Sequence, residues 1–468
     1  MASAMRDDLP GWNAAAIMPH KHGTAAGVGL WAKIWIPARE AATCSRAGVG
    51  FGHCRGLEGE MRVRISSEEG TGQTSEPMTR SERKAPILGR GGLPSRRRCL
   101  QALGGLLALS PSAPPRASEA VPSLPSLRDA AASIGLRYGA AAHDYPPVFT
   151  PEYDRLVVQQ CGLIVPVLNW SQSSPSPDRF EENTDKGVVA WARAKGLPLT
   201  GSHLLWHEAV PRWFAALSDP REARQAVIAH IHRSSARLAR DTWSVNVINE
   251  ALNPGDRRED GLRRDAFSRL FGNSYWEFAF HAAREAFPDA VLVYNDYGME
   301  QEYGDALAKR AALLRRLDAL LAARVPVDAI GLQSHLRLRE RFNSQSFAAF
   351  LGQIAARGVR VIITELDVLD IGAPSAAGPR DAAVADMYRR YLDAVLSERA
   401  VTAIVTWGLS DRYSWLRPDF SPVFSRPDGL STRPLPFDSE LRPKPAFDAI
   451  LAAFRSAPHR NIEARGGG

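Results

Sequence analysis

Two glutamates close hydrophobic runs of this 468-residue chain, one in Val245-Asn246-Val247-Ile248-Asn249-Glu250 and one in Val361-Ile362-Ile363-Thr364-Glu365. A carboxylate that ends an apolar strand sits on a rigid element and leaves the sheet at its rim, where a substrate can reach it. Two such groups facing each other across a sugar act as proton donor and nucleophile when about 5–5.5 Å apart, the geometry of retention. One must be kept neutral and the other ionised. Asn249 offers an amide to a substrate hydroxyl, while His335, which ends a run with Gln333, and Asp367 could form a hydrogen-bonded set that holds Glu365 ionised. A single acid at a strand end is more often a cap or a solvated loop group. A pair, each member behind its own hydrophobic run, weakens that reading.

Aromatic residues accompany the acids. Sugars present apolar C–H faces that stack on rings while their hydroxyls take hydrogen bonds. Trp206, Tyr297, Trp407 and Trp415 all fall at or just past the ends of hydrophobic runs. Core packing is the plain alternative for each, but their common position suggests a stacking site.

These residues need a frame that brings strand ends together. Short apolar or β-branched runs cover 134–141, 162–168, 197–206, 245–250, 290–296, 329–335, 359–365 and 401–407. Between the later ones lie stretches with apolar residues spaced by three or four, such as 221–240, 263–287, 303–323, 346–357 and 381–398. Strand–helix alternation repeated eight times predicts an α/β fold, a single (β/α)₈ barrel whose active end is the C-terminal rim of its strands. An open doubly wound sheet is the structural alternative, but no glycine-rich phosphate loop follows the first run.

Charge confirms the class by what it excludes. The chain has a formal charge of +7, but residues 1–120 hold 16 Lys and Arg against 10 Asp and Glu, which leaves the remainder 42 against 41. A nearly neutral body does not suit a phosphate backbone, so no nucleic-acid partner is expected, and a neutral polymer is an easier substrate. Cys44, Cys54 and Cys99 precede the body and only Cys161 lies within it, so an intradomain disulfide is excluded and no zinc-type spacing exists. No structural metal is expected.

Residues 1–94 lack periodicity and read as a disordered or spurious extension. In 95–120, Arg96-Arg97-Arg98 precede a ten-residue apolar run from Leu100 to Leu109 and a small-residue site at Ser118-Glu119-Ala120. This pattern predicts a cleaved, twin-arginine-like export signal, too short to span a bilayer. The catalytic domain is expected over 121–460 and a flexible tail over 461–468, the mature protein being an exported monomer without a membrane anchor.

At this level the motifs resemble glycoside hydrolase family 10, the endo-1,4-β-xylanases. Val247-Ile248-Asn249-Glu250-Ala251 is similar to its acid/base segment and Ile363-Thr364-Glu365-Leu366-Asp367-Val368 to its nucleophile segment. Gly201 with Leu204-Leu205-Trp206-His207 and Pro211-x-Trp213, then Tyr294-Asn295-Asp296-Tyr297, Gly331-Leu332-Gln333-Ser334-His335 and Trp407-Gly408 with Asp411-x-Tyr413-Ser414-Trp415 follow in the family's order. Pro434 to Asp438 and Lys444-Pro445-Ala446 resemble its closing segment, so the likeness spans roughly 125–455. It implies that Glu365 attacks the anomeric carbon, that Glu250 is acid and then base, that Asn249, His335 and Gln333 bind the sugar, and that no metal or cofactor takes part. A β-glucanase, an oligosaccharide-acting glycosidase and a barrel that binds polysaccharide without turnover are the alternatives.

Three departures bear on substrate binding. A Glu-Asn-x-x-Lys-like stretch usually follows strand two, where this chain has Val165-Pro166-Val167-Leu168-Asn169-Trp170, with Asn169 at the Lys position and Val165 at an acidic one. The usual Gly-His pair on strand three is Gly201-Ser202, with His203 one residue late, and the usual Asp before the acid/base is Asn246. Sugar binding by Asn169 is expected to be weaker than by Lys, with the Trp170 ring a candidate to compensate.

Overall fold

The computed structural model describes residues 124–142, 150–181, 187–419 and 422–460. The expected extension, export signal and tail lie outside the described residues. Nine strands form, β1 Arg137–Ala142, β2 Leu163–Pro166, β3 Ser202–Trp206, β4 Ser244–Asn249, β5 Val291–Asp296, β6 Ala329–Leu332, β7 His335–Arg337, β8 Arg360–Leu369 and β9 Val401–Thr406. Eight of them run in parallel in the order β2-β1-β9-β8-β6-β5-β4-β3, and the short β7 extends the ladder along the upper half of β8. The ring closes between its end strands, where Ile164 N–H donates to the Pro198 carbonyl at 3.0 Å and Thr200 N–H to the Ile164 carbonyl at 2.9 Å. The expected (β/α)₈ barrel is therefore observed.

Sequence explains why the strands are central. β4, β5 and β9 are buried along their whole length, as parallel strands must be when side chains fill the barrel on one face and helices cover the other. Leu163, Val291, Val293, Ala329, Ile362 and Ala403, drawn from five strands, pack into a cluster of their own that fills the barrel. Outside, long amphipathic helices such as Pro220–Leu238, Ala306–Ala322 and Ala377–Leu396 turn their apolar sides to the sheet. Register then sets the rim, since Trp206 pairs with Asn249, Asn249 with Asn295, and His335 with Asp367.

Several elements differ from the periodicity. The run 197–206 makes a regular strand only from Ser202, because Gly201 adopts φ 71° just before it. The run 329–335 splits into β6 and β7 around Ser334 at φ 66°. The stretch 263–287 is two helices, Ala266–Phe271 and Tyr275–Ala286, parted at Gly272 with φ 60°; an isolated glycine with a left-handed φ ends a helix by this means. Helices Leu127–Ala132, Pro151–Gln160, Val188–Ala194 and Pro445–Ser456 form as well, the last burying Phe447, Ile450, Leu451 and Phe454 at helical spacing. The segment that leads into the last helix is held by a buried ion pair, Lys444 Nζ to Asp411 Oδ2 at 2.8 Å.

Candidate active site

Glu250 follows the last residue of β4 and takes φ 57°, a conformation that costs a non-glycine residue on the order of 1 kcal/mol. Its main chain is held on both sides. The N–H donates to the Asn295 carbonyl at 2.9 Å, and its carbonyl accepts from Arg263 Nε at 2.8 Å. The fixed turn aims the side chain into the mouth, where Oε1 accepts from Gln333 Nε2 and Oε2 from Trp206 Nε1, both at 2.8 Å. His207 Nδ1 stands 4.0 Å from Oε2.

Glu365, buried on β8, has a different setting. Oε1 accepts from Asn295 Nδ2 at 2.9 Å, and Oε2 lies 3.1 Å from His335 Nε2. His335 Nδ1 is 3.0 Å from Asp367 Oδ1, whose other oxygen accepts from Trp415 Nε1 at 2.7 Å. Both ring nitrogens of His335 thus face carboxylate oxygens, which only a doubly protonated ring can satisfy. Burial opposes that charge, but Asp367 and Glu365 outweigh it and push the His335 pKa up to about 10. In return, although burial alone would raise it, the hydrogen bond and charge of His335 hold the Glu365 carboxyl below its ordinary value.

The sign of the linked stability follows. A histidine raised from 6.5 to about 10 contributes stability that is fully present below pH 6.5 and lost as pH climbs toward 10. Thermal unfolding of the wild type is expected to fall by several degrees over this window, while His335→Asn, less stable at neutral pH, should show a much flatter curve. Parallel curves measured by calorimetry would remove the imidazolium from this account.

Asn295 on β5 ties the two halves together. Its Nδ2 donates to Asn249 Oδ1 at 2.8 Å as well as to Glu365, and its Oδ1 accepts from Thr364 Oγ1 at 2.7 Å. The Asn249 amide is thereby oriented with Nδ2 buried and without a protein partner, a donor left for a substrate hydroxyl.

The aromatic residues divide. Trp206 and Trp415 donate their indole N–H groups to Glu250 and Asp367, and the Trp415 ring lies 4.8 Å from His335. Trp407 is nearly buried, its ring set edgewise to His335 at 6.1 Å. Tyr297 accepts from Arg263 Nη2 at 2.9 Å, and one ring face is covered by the Lys309 ammonium 3.9 Å from its centroid. Asn169 is set apart from this network. It caps the short helix Trp170–Ser173 without a side-chain cap bond, and its buried Oδ1 has no partner. Trp170 points into the core, stacked on His230 at 4.4 Å, and is 2% exposed, so it cannot serve as a sugar platform. Val165 packs with Ala141, Val167, Val405 and Trp407, which makes this side of the mouth apolar.

A barrel rim that carries two strand-end carboxylates in such unequal settings is the architecture of a glycosidase, and the model of glycosyl hydrolase family 10 matches residues 126–453. The chain belongs to glycosyl hydrolase family 10. It is 29% identical over 368 residues to endo-1,4-beta-xylanase 5 of Pyricularia oryzae, an alignment covering 76% of this chain and 86% of that one. With endo-1,4-beta-xylanase 3 of Hypocrea jecorina it shares 32% identity over 301 residues, 63% of this chain and 76% of the relative. The crystal structure of xylanase 10B from Thermotoga maritima superposes with a TM-score of 0.62 at 27% identity, covering 70% of this chain and 98% of that one. Xylanase 10B from Thermotoga petrophila, solved with xylobiose, gives 0.62 at 27% identity over 71% of this chain and 97% of that one.

Within this family 10 barrel, residue patterns alone did not single out Asn295, Arg263 or Glu300 as parts of the site. Asn295 could have been found by the rule that exposed Glu250, since it too stands near the end of a hydrophobic strand. Arg263, which holds the Glu250 carbonyl and the Tyr297 hydroxyl, and Glu300, which holds main-chain N–H groups, end no hydrophobic run and leave no such mark. The buried Glu300 carboxylate accepts from the Ser334 N–H at 2.9 Å and the Met299 N–H at 2.8 Å. It thereby braces the left-handed Ser334 that sets His335 in place.

Proposed function

We propose that this family 10 glycosidase is a retaining endo-1,4-β-xylanase in which Glu365 is the nucleophile and Glu250 the acid/base. The observation that carries the assignment is the unequal company of the two acids: Glu365 shares a proton-rich contact with the His335 imidazolium, whereas the Glu250 carboxyl is met by the uncharged N–H groups of Gln333 and Trp206. Glu365, ionised, attacks the anomeric carbon as the glycosidic bond breaks, and the proton on Glu250 passes to the leaving oxygen. Glu250, now a carboxylate, takes a proton from water, whose oxygen attacks the same carbon and displaces Glu365. Two inversions restore the starting configuration. Asn249 Nδ2 is placed to donate to a sugar hydroxyl throughout.

Xylan as the substrate follows from the relatives named above. Incubating purified protein with xylan, xylo-oligosaccharides and β-glucan, and reading fresh products by NMR, tests both parts. β-Configured products from internal cleavage of xylan are expected, while inverted products would overturn the nucleophile assignment and release from β-glucan alone would overturn the substrate.

The apolar wall beside β2 supports a second feature, weak binding of unsubstituted short chains. A charge-assisted hydrogen bond to a sugar typically contributes about 1.5–3 kcal/mol, so a missing charged group weakens binding roughly 10- to 100-fold. A high KM on xylo-oligosaccharides is expected, and Asn169→Lys should lower it. A wild-type KM in the low micromolar range would contradict this. Val165 is 2% exposed among apolar neighbours, so a Glu introduced there would be buried without a partner and is expected to destabilise the fold.

Residues 95–120 support export across a membrane by a twin-arginine-like route. Replacing Arg96, Arg97 and Arg98 together by Lys is expected to leave the precursor inside the cell. A mature N-terminus mapped by mass spectrometry well before Ser110 would refute the cleavage.

A further inference from the structure

His203 on β3 and Asn246 on β4 face each other in register. Asn246 Nδ2 lies 3.2 Å from His203 Nδ1 and 3.2 Å from the Gly201 carbonyl oxygen. The carbonyl decides which way the amide points. Turned over, Asn246 would set its own oxygen against Gly201 O, acceptor against acceptor, with a hydrogen bond lost. With Nδ2 in this place, His203 Nδ1 must present its lone pair, so the ring's one proton is on Nε2 and the ring is neutral. Nε2 has no hydrogen-bond partner among the described residues and is not among the buried unpaired atoms, so it is open to a substrate.

We propose that Asn246 is a positioning residue that locks His203 as the neutral Nε2–H tautomer, which gives the cleft an uncharged N–H donor for a sugar hydroxyl at His203. The inference rests on the retaining-glycosidase reading for its meaning but on hydrogen-bond geometry for its substance. The charged groups that act on His203 are Glu365 of β8 and Glu250 at the end of β4, and both favour its protonation. Burial, at 8% exposure, opposes them and holds the ring's pKa below the ordinary value. Asn246 adds to burial by occupying the nitrogen that would have to gain the second proton.

An aspartate at position 246 reverses the lock, because a carboxylate accepts from Nδ1–H and cannot donate to its lone pair. Nitrogen-15 NMR of the full chain reads the tautomer directly, with the His203 ring identified by its disappearance in His203→Gln. Wild type is expected to show Nε2 protonated and Nδ1 bare at pH 6, and Asn246→Asp to show Nδ1 protonated. Asn246→Ser, whose hydroxyl can still donate to Nδ1, should keep the wild-type tautomer even where turnover falls. An imidazolium or an Nδ1–H tautomer in wild type at pH 6 overturns the proposal, as does an Asn246→Asp ring with the wild-type tautomer. If Asn246→Asp does not fold, the wild-type ring and the Asn246→Ser ring decide. The NMR result stands whether or not the protein cleaves xylan, so a wrong substrate and a wrong lock give different outcomes.

Discussion

Glu365→Ala is expected to lower kcat on xylan by at least about 10⁴-fold, because the variant has no atom to form the covalent intermediate and the reaction falls back on positioning alone. Binding should suffer far less. Asn295 loses one of its two acceptors but keeps Asn249 Oδ1, and His335 keeps Asp367 at 3.0 Å, so the polar frame around the cavity stays in place. Truncating a carboxylate that faces a retained imidazolium leaves a cationic hollow, which a small anion such as formate or azide can enter and attack in place of the side chain. An activated aryl glycoside incubated with azide should then yield a product of opposite anomeric configuration. Steady-state rates, calorimetric titration with xylo-oligosaccharides and NMR of the azide product check the three parts. Residual turnover within tenfold of wild type would remove Glu365 from the nucleophile's place.

How much of this was legible beforehand depends on whether a residue acts through its type or through its surroundings. Glu250 and Glu365 could be read because an acid behind a hydrophobic run is unusual and a barrel brings such ends together. His335 and Asp367 could be read as partners of Glu365, since successive hydrophobic runs are neighbours in any such barrel, and the two residues pair in register between β7 and β8. The aromatic residues were only half legible. Their composition does not distinguish a ring that stacks on sugar from one that donates to a carboxylate, as Trp206 and Trp415 do, or from one packed on a core histidine, as Trp170 is. Least legible was the backbone. Glu250 and Ser334 adopt left-handed conformations without being glycine, and their enforcement comes from Asn295, Arg263 and Glu300, far away in sequence. Strain that is imposed by tertiary contacts leaves no local signature. The pairing of His203 with Asn246 was hidden for the same reason, since it required the register of β3 against β4.

Glu250→Ala tests the other half of the mechanism, and its effect should depend on the leaving group. On xylan the departing oxygen belongs to a sugar alcohol and needs a proton as the bond breaks, so loss of the acid is expected to cost about 10²- to 10⁴-fold in kcat/KM. On a dinitrophenyl glycoside the departing phenolate is stable by itself, so the first step should run at close to the wild-type rate. The second step still lacks its base. Glycosyl-enzyme on Glu365 should therefore accumulate, visible as a burst of phenolate followed by slow turnover, with an apparent KM well below wild type. Azide, which needs no base, should restore turnover and give a product of retained configuration, opposite to the outcome at Glu365→Ala. A structural role for Glu250 predicts something else. If its main service were to hold Trp206 and Gln333 through their 2.8 Å hydrogen bonds, the loss would be uniform across leaving groups, azide would rescue nothing, and Glu250→Gln, which can keep one of the two bonds, would recover most of the activity. Presteady-state bursts with a series of aryl glycosides separate the two accounts. A slope of rate against leaving-group acidity no steeper than that of wild type would rule out Glu250 as the acid.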